Sequence, residues 1–142
     1  MITVKWGKDD KSILQYEFED TWTIDDLIEA LDAGVAVTHK YDHNIDVVVD
    51  LLRSGLPNLL GSNINKAFQK AMNRTEEHIE QSKKESGIVV IVSNHGIMRA
   101  TLSSLLAMYG RLGDKILLAD SIAQAHQQIA QLQRQRIKAI PV

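Results

Sequence analysis

The sequence predicts a single α/β domain with a mixed β-sheet of about five strands covered by about four helices. Three observations support this fold class. Two strand-like stretches come first, three short apolar strands follow, and each of those three leads into a segment with helical periodicity. The predicted order is ββαβαβαβα, and 142 residues are enough for one self-standing domain without disulfide or metal cross-links.

The first two strands are predicted to form an antiparallel hairpin. Apolar and polar side chains alternate from Ile2 to Trp6, and residues 13–18 repeat a short strand pattern after the turn signal at residues 7–10. Thr23 is then a good N-cap with Asp26 three residues on. The first helical stripe consists of Ile24, Leu27, Ile28 and Leu31. We expect Gly34 to fray or end this helix.

The third strand is predicted at residues 45–52, and its Val47–Val49 core is typical of a central strand buried on both faces. After the breakers Gly55, Pro57 and Gly61, a second helix is predicted to begin near Ser62. Its inward residues are expected to be Ile64, Ala67, Phe68, Ala71, Met72 and Ile79.

Residues 88–92 are five consecutive β-branched residues, which predict the fourth strand. A loop at 93–96 follows, and then a third helix with Met98, Leu102, Leu105, Leu106 and Tyr109. Residues 115–119 predict the fifth strand, and Asp120 or Ser121 should cap the last helix. The inward residues of that helix are Ile122, Ala125, Ile129 and Leu132.

Composition excludes several function classes. The formal net charge of −2 does not suggest a nucleic-acid partner, and the absence of cysteine excludes thiolate catalysis and cysteine-ligated metals. No cofactor is expected. The N-terminus has no basic leader and no apolar run is long enough to span a bilayer, so we expect a cytoplasmic protein.

The element order and three sequence stretches resemble the STAS domain of anti-sigma-factor antagonists, over nearly the whole chain. The stretches are Val47–Asp50 at the third strand, Ile88–Val92 at the fourth, and Lys115–Ala125 at the fifth strand and last helix. The fit is best with the SpoIIAA-like branch, which resembles the SEC14 lipid-binding type.

In regulatory STAS domains, the resemblance implies a binding module switched by phosphorylation of a serine at the start of the second helix. The Asp-Ser-x-Gly stretch around that serine is missing here. By position Ser62 lies nearest the phosphoacceptor, although Gly61 precedes it in place of an acidic residue. Ser54 is the other candidate, and Asp50 matches the aspartate that ends the third strand.

The residues themselves suggest two binding positions. Ser62 and Asn63 begin a helix, where backbone N–H groups and the helix dipole favour an anion, although serine is also simply a preferred N-cap. Asn94 and His95 follow a buried strand at its carboxyl end, where open α/β sheets present ligand groups. A histidine at a helix start is also a common capping residue.

Two further patterns are weaker alternatives. His39 and His43 are spaced to share a helical face, but no third or fourth metal ligand is evident, so we predict no metal site. Asp9, Asp10 and Asp50 suggest the acidic cluster of a response-regulator receiver. The strand pattern after Asp10 and the lack of a lysine at the end of the fifth strand argue against it.

The functional hypothesis is therefore a non-catalytic module that binds a protein partner or an apolar, lipid-like ligand through its second and third helices. Aromatic residues at the N-terminal end and Met98 and Met108 would form an apolar patch if they were exposed, and such a patch would suit a membrane surface or a homodimer. The competing hypothesis is a small-molecule enzyme that uses the loop around His95.

Overall fold

The computed structural model describes residues 1–55, 61–81, 87–108 and 115–139, with the side chains of 61–63, 79–81, 97 and 137–139 left out. The strands are β1 (Ile2–Trp6), β2 (Ile13–Asp20), β3 (Asp46–Ser54), β4 (Val89–Val92) and β5 (Ile116–Ala119). The helices are α1 (Ile24–Thr38), α2 (Gly61–Gln81), α3 (Gly96–Leu106) and α4 (Ile122–Ala139). The predicted α/β class and element order are confirmed.

The five strands form one mixed sheet whose order, β1-β2-β3-β4-β5, follows the chain. β1 and β2 are the predicted antiparallel hairpin, with Val4 opposite Tyr16. β2 to β5 run parallel, and Tyr16 of β2 pairs with Val49 of β3. β3 is therefore the central strand, as its valine run predicts.

Helices cover both faces of the sheet, in unequal numbers. Parallel strands added in one direction through right-handed crossovers place their connecting helices on the same face. Accordingly α1, α2 and α3 contribute to one apolar cluster, which includes Leu27, Phe68 and Leu102. On the opposite face α4 supplies Ala125 and Ile129 to a second cluster.

The predicted start of α1 is confirmed and the predicted end is wrong. The Thr23 hydroxyl accepts from Asp26 N at 3.0 Å, while the Asp26 carboxylate accepts from Thr23 N at 3.0 Å. Gly34, however, lies inside the helix, which continues to Thr38. A Cβ at Gly34 would collide with the hydroxyl of Tyr16, so the glycine makes room for that ring and does not mark a helix end.

The far end of α4 is held to the sheet by a buried carboxylate. Asp46 is 1% exposed and accepts hydrogen bonds from Ile88 N (2.8 Å), Gln133 Nε2 (3.1 Å) and both terminal nitrogens of Arg136 (2.9 and 3.1 Å). One side chain thus joins the beginnings of β3 and β4 to α4. At the other end of α4, Gln124 N donates to Ser121 Oγ at 3.1 Å, which confirms Ser121 as the cap.

Most aromatic side chains at the N-terminal end are in the core and do not form the exposed patch considered above. Tyr16, Phe18 and Trp22 are all less than 7% exposed. Among the described residues, the exposed large apolar side chains are Met1, Leu52 and Met108. None of the helices, over the part of the chain that the structure describes, has the length and hydropathy of a membrane span.

Candidate functional site

A cavity of about 280 Å³ lies between the sheet and the helices α1 and α2. Its floor is made by alternate residues of the strands, because successive side chains point to opposite faces of a sheet. From β2 and β3 these are Leu14, Tyr16, Phe18, Val47, Val49 and Leu51. From Val47 to Leu51 the floor extends about 13 Å, at roughly 3.3 Å per residue.

The cavity exists because the helices above it present small side chains. Gly34 on α1 and Ala67 and Ala71 on α2 line the space. Protein interiors are normally close-packed, with few voids larger than a water molecule. A void of 280 Å³ is nearly twice the engineered cavity of about 150 Å³ that binds benzene, and it lies just below the usual range for ligand pockets, about 300–1,000 Å³.

One end of the cavity is apolar. At the carboxyl ends of the strands the lining residues include Phe18, Trp22, Leu51, Phe68 and Leu102. The only polar atom of the Trp22 ring donates to Ser54 Oγ at 2.7 Å, so its hydrogen-bonding capacity is used. This end therefore offers van der Waals contact and little hydrogen bonding.

The other end is polar and cationic. Helices that connect parallel strands run back against them, so the ends of α1 and α2 lie at the amino ends of the strands. There Thr38 and His39 of α1, Thr75 and His78 of α2, and Lys115 before β5 line the cavity. The described lining residues include no aspartate or glutamate.

An ion-pair cluster joins α1 to α2 at the polar end. Arg74 donates through Nε and Nη2 to the two carboxylate oxygens of Asp32, at 2.8 and 2.9 Å, and through Nη1 to Glu77 at 3.1 Å. His78 Nε2 is 3.4 Å from Asp32 Oδ1. The Arg74 guanidinium lowers the pKa of Asp32 below its ordinary value of 3.8, so the carboxylate stays ionised at neutral pH.

Tyr16 brings an unsatisfied hydroxyl to the cavity. The residue lines the space and is 6% exposed, and among the described residues its hydroxyl has no hydrogen-bond partner. Burial raises the pKa of Tyr16 from 10.0 to about 12. An unpaired buried hydroxyl is unfavourable, and most such groups in native proteins find a partner.

Of the candidate residues that the sequence suggested, His39 lines this cavity, whereas Asp50, Ser54, Asn94 and His95 do not. Ser54 ends β3 and Asn94 and His95 follow β4, all at the carboxyl edge of the sheet, whereas the polar end of the cavity is at the amino edge. His95 is the N-cap of α3 without a side-chain capping bond, and its Nδ1 is buried with no partner in the described structure. Asn94 is exposed.

Asp50 lies in β3 at 9% exposure and accepts a hydrogen bond from Leu52 N at 2.9 Å, so it stabilises its own strand end. Ser62 and Asn63 begin α2, as predicted, but their side chains lie outside the described structure, and their binding roles stay predictions. The resemblance-based role of Ser54 as a phosphoacceptor also stays a prediction; its hydroxyl holds the Trp22 ring.

The fold separates the residues on which the two weaker alternatives, the metal site and the receiver domain, depend. His39 caps the end of α1, whereas His43 lies in the following loop and bonds to Lys11 O at 2.8 Å, so the two imidazoles do not share a helical face. Asp9 and Asp10 lie in the β1–β2 turn, at the edge of the sheet opposite to the end of β3 that carries Asp50. A receiver-type acidic cluster is therefore not assembled by these residues.

The sequence analysis did not single out His78 and Lys115, which line the cavity, because each alone is an ordinary surface residue. The only sequence signal for these two residues was their position, near the end of a helix and just before a strand.

Among the described residues, no group of three or more histidine or acidic side chains is placed to bind a metal ion. Comparison with family models, curated proteins and solved structures returns no match for this chain.

Proposed function

We propose that this protein is a binding module that holds an apolar, lipid-like ligand between its sheet and helices α1 and α2, and that it carries out no reaction on that ligand. The observation that carries the proposal is the apolar cavity itself. Membership of the SpoIIAA-like branch, with its resemblance to the SEC14 lipid-binding type, is part of the same proposal and agrees with the ββαβαβαβα order.

Two features favour a ligand in this cavity over a water-filled space. Ordered water requires two to four polar partners, and the half of the cavity around Phe18, Leu51 and Phe68 supplies few. An empty apolar void also forfeits the dispersion contacts that its lining would otherwise make. Filling it with an alkyl group restores those contacts without burying a polar atom.

The competing functions receive less support. A docking surface for a protein partner or a membrane would need a contiguous apolar patch, and in the described part of the chain the exposed large apolar side chains are those of Met1, Leu52 and Met108 alone. An enzyme at the loop of His95 would need a second reacting group within hydrogen-bond reach. In the described structure the nearby Ser93 hydroxyl accepts from the backbone N–H of His95 at 3.2 Å, and no bond joins it to the imidazole.

The test uses a neutral ligand and the tryptophan that lines the cavity. The chain has two tryptophans, so in a Trp6→Phe background Trp22 alone reports on occupancy. Titration with 1-decanol is expected to change Trp22 fluorescence to saturation. Ala71→Phe, which places a ring in the cavity, should weaken the affinity at least about tenfold, since one buried aromatic ring displaces most of an alkyl chain.

Ala123→Phe is the matched control, because Ala123 is exposed on α4 on the other side of the sheet. It should bind decanol as the parent does. Thermal unfolding of each variant checks that Ala71→Phe is still folded. Failure of the parent to bind decanol saturably, or equal binding by a folded Ala71→Phe variant, would show that the cavity is not a ligand site.

A further inference from the structure

The distribution of polar groups along the cavity specifies the ligand more closely. The lining changes from wholly apolar side chains near Phe18 and Leu102 to a cluster of hydroxyl, imidazole and ammonium groups at the amino edge of the sheet. A purely apolar ligand would leave that cluster unused, and a ligand polar at both ends would bury a polar group against Phe68 and Leu51. A single polar head on an alkyl chain matches both ends.

The polar end selects the sign of the head group. His39, His78 and Lys115 are lining groups that can donate hydrogen bonds or carry positive charge, and the described lining includes no carboxylate. Among the described residues near this end, the carboxylates of Asp32 and Glu77 both pair with Arg74, and that of Asp46 pairs with Arg136. The described lining therefore carries basic groups and no carboxylate.

The Tyr16 hydroxyl is an independent observation that points to a ligand acceptor. Tyr16 lines the same cavity and is 6% exposed as a residue, its hydroxyl lies next to Gly34 of α1, and that hydroxyl has no hydrogen-bond partner among the described residues. Burial raises the pKa of Tyr16 to about 12, so at neutral pH the hydroxyl keeps its proton and can donate. An oxygen acceptor on the ligand would satisfy it.

The size of the cavity restricts the ligand to a single alkyl chain. The floor is about 13 Å long at roughly 3.3 Å per strand residue, which accommodates an alkyl chain of medium length in extended form. The volume of 280 Å³ is just under the lower bound of about 300 Å³ for drug-sized ligand pockets, too small for two acyl chains with a glycerol headgroup.

We propose that the ligand is a single-chain amphiphile of medium length with an anionic head group, its alkyl chain lying between Phe18 and Phe68 and its head at His39, His78 and Lys115. This rests on the proposed function, because it names the ligand class of the same cavity. The head group can be a carboxylate, as in a fatty acid, or a phosphate monoester, since both are oxygen acceptors with negative charge.

The test compares four ligands that share one chain length: decanoate, decyl phosphate, 1-decanol and decyltrimethylammonium. Binding is measured at pH 7 below micelle formation, through Trp22 fluorescence in the Trp6→Phe background. At least one anionic ligand should bind about tenfold or more tightly than decanol, and decyltrimethylammonium should bind more weakly than decanol. The anion that binds more tightly shows whether the natural head group is a carboxylate or a phosphate monoester.

His78→Leu and Lys115→Met should each reduce the affinity for the preferred anion at least about threefold and reduce the affinity for decanol by a smaller factor, so that the preference for the anion falls. Their matched controls are His126→Leu on α4 and Lys70→Met at an exposed position on α2, neither of which lines the cavity. Should either test variant fail to fold, His39→Gln replaces it as a third lining position.

The outcomes separate the two proposals. Binding of decanol without preference for an anion, or an anion preference that survives both test variants, would overturn the head-group assignment and leave the apolar site in place. Absence of binding by all four ligands would overturn both. An anion preference that disappears in the test variants and persists in the controls supports the assignment.

Discussion

At the scale of single residues, Tyr16 and Gly34 determine the shape of the cavity together. The ring of Tyr16 reaches across to α1, and its hydroxyl lies where the Cβ of any other residue at position 34 would be. A glycine that looks like a helix terminator in sequence is thus a contact point between a strand and a helix. The same contact places the Tyr16 hydroxyl at the boundary of the apolar and polar parts of the lining.

Burial of the Tyr16 hydroxyl predicts a specific response to alkaline pH. Because folding raises the pKa of Tyr16 from 10.0 to about 12, the wild-type protein has its full stability with respect to this group below pH 10 and loses stability as pH rises toward 12, where the tyrosine ionises in the unfolded chain before it ionises in the folded one. Tyr16→Phe cannot ionise. The variant should gain about 2 to 3 kcal/mol in unfolding free energy relative to wild type over that interval, at roughly 1.4 kcal/mol per pKa unit.

Urea unfolding at a series of pH values measures this difference. Tyr41→Phe is the matched control, since Tyr41 is only partly buried and its ring packs edge-on against Trp6 at 5.5 Å. A constant difference between Tyr16→Phe and wild type from pH 10 to pH 12 would contradict the prediction.

At the scale of elements, α1 and α2 are joined over the polar end of the cavity by Arg74 and Asp32. Both side chains are more than a third exposed, so this bidentate pair contributes modestly to stability. The position of this pair beside the cavity says more about its possible role than its contribution to stability does. His78 contacts Asp32 and also lines the cavity, so the ion pair is connected to the site where a ligand would enter between the two helices.

Arg74→Leu should therefore speed ligand release more than it lowers stability. We expect the dissociation rate of the preferred amphiphile, measured by stopped-flow fluorescence, to rise at least about threefold while the unfolding free energy at pH 7 changes little, because both side chains of the pair are more than a third exposed. The stabilisation by this pair is present above the ordinary carboxyl pKa of 3.8 and disappears as pH falls through the lowered pKa of Asp32, so the two proteins should converge in stability in acid.

Glu76→Leu, at an exposed position on α2 that does not line the cavity, is the control for the added apolar side chain. An unchanged dissociation rate in Arg74→Leu would mean that the two helices do not separate there when ligand leaves.

At the scale of the whole molecule, Asp46 joins strands β3 and β4 to α4, the helix that covers the second face of the sheet. Asp46 accepts four hydrogen bonds, from Ile88, Gln133 and Arg136. A Cβ on residue 87, if that residue were not glycine, would lie 2.8 Å from Asp46 Oδ1. No side chain other than hydrogen fits at residue 87 without displacing the Ile45 carbonyl.

Asp46→Ala should lower the unfolding free energy by about 3 to 5 kcal/mol, because removing one partner of a buried ion pair leaves its donors without an acceptor. Chemical denaturation monitored by circular dichroism measures the loss. Asp25→Ala, an exposed carboxylate on α1, should cost less than about 1 kcal/mol. Similar losses in the two variants would mean that the α4 attachment is energetically unimportant.

Much of this architecture was predictable from sequence because it follows from local patterns. The alternation in residues 2–6, the β-branched run at 88–92 and the Thr23–Asp26 capping box each report on a few neighbouring residues, and the structure confirms all three. The end of α1 was not predictable in the same way. It depends on Tyr16, which is 18 residues earlier in the chain and meets Gly34 only after the sheet has formed.

The candidate site could not be predicted from local sequence patterns for the same reason. A cavity depends on how far the helices stand from the sheet, and no stretch of sequence encodes that distance. His39, His78 and Lys115 come from three different connections, and each one alone has an unremarkable role as a capping or surface residue. The sequence favoured the loop at His95 as a site because open α/β sheets usually bind ligands at the carboxyl ends of their strands, and this loop follows such an end.

The agreement between strand order and chain order has a consequence for synthesis on the ribosome. Each new strand pairs with the one made just before it, so a growing chain can extend the sheet step by step without threading a segment between strands already joined. The sheet face that packs against Ala125 and Ile129 stays uncovered until residues 122–139 emerge. During translation this face, and not the cavity side, is the surface that chaperones would need to shield.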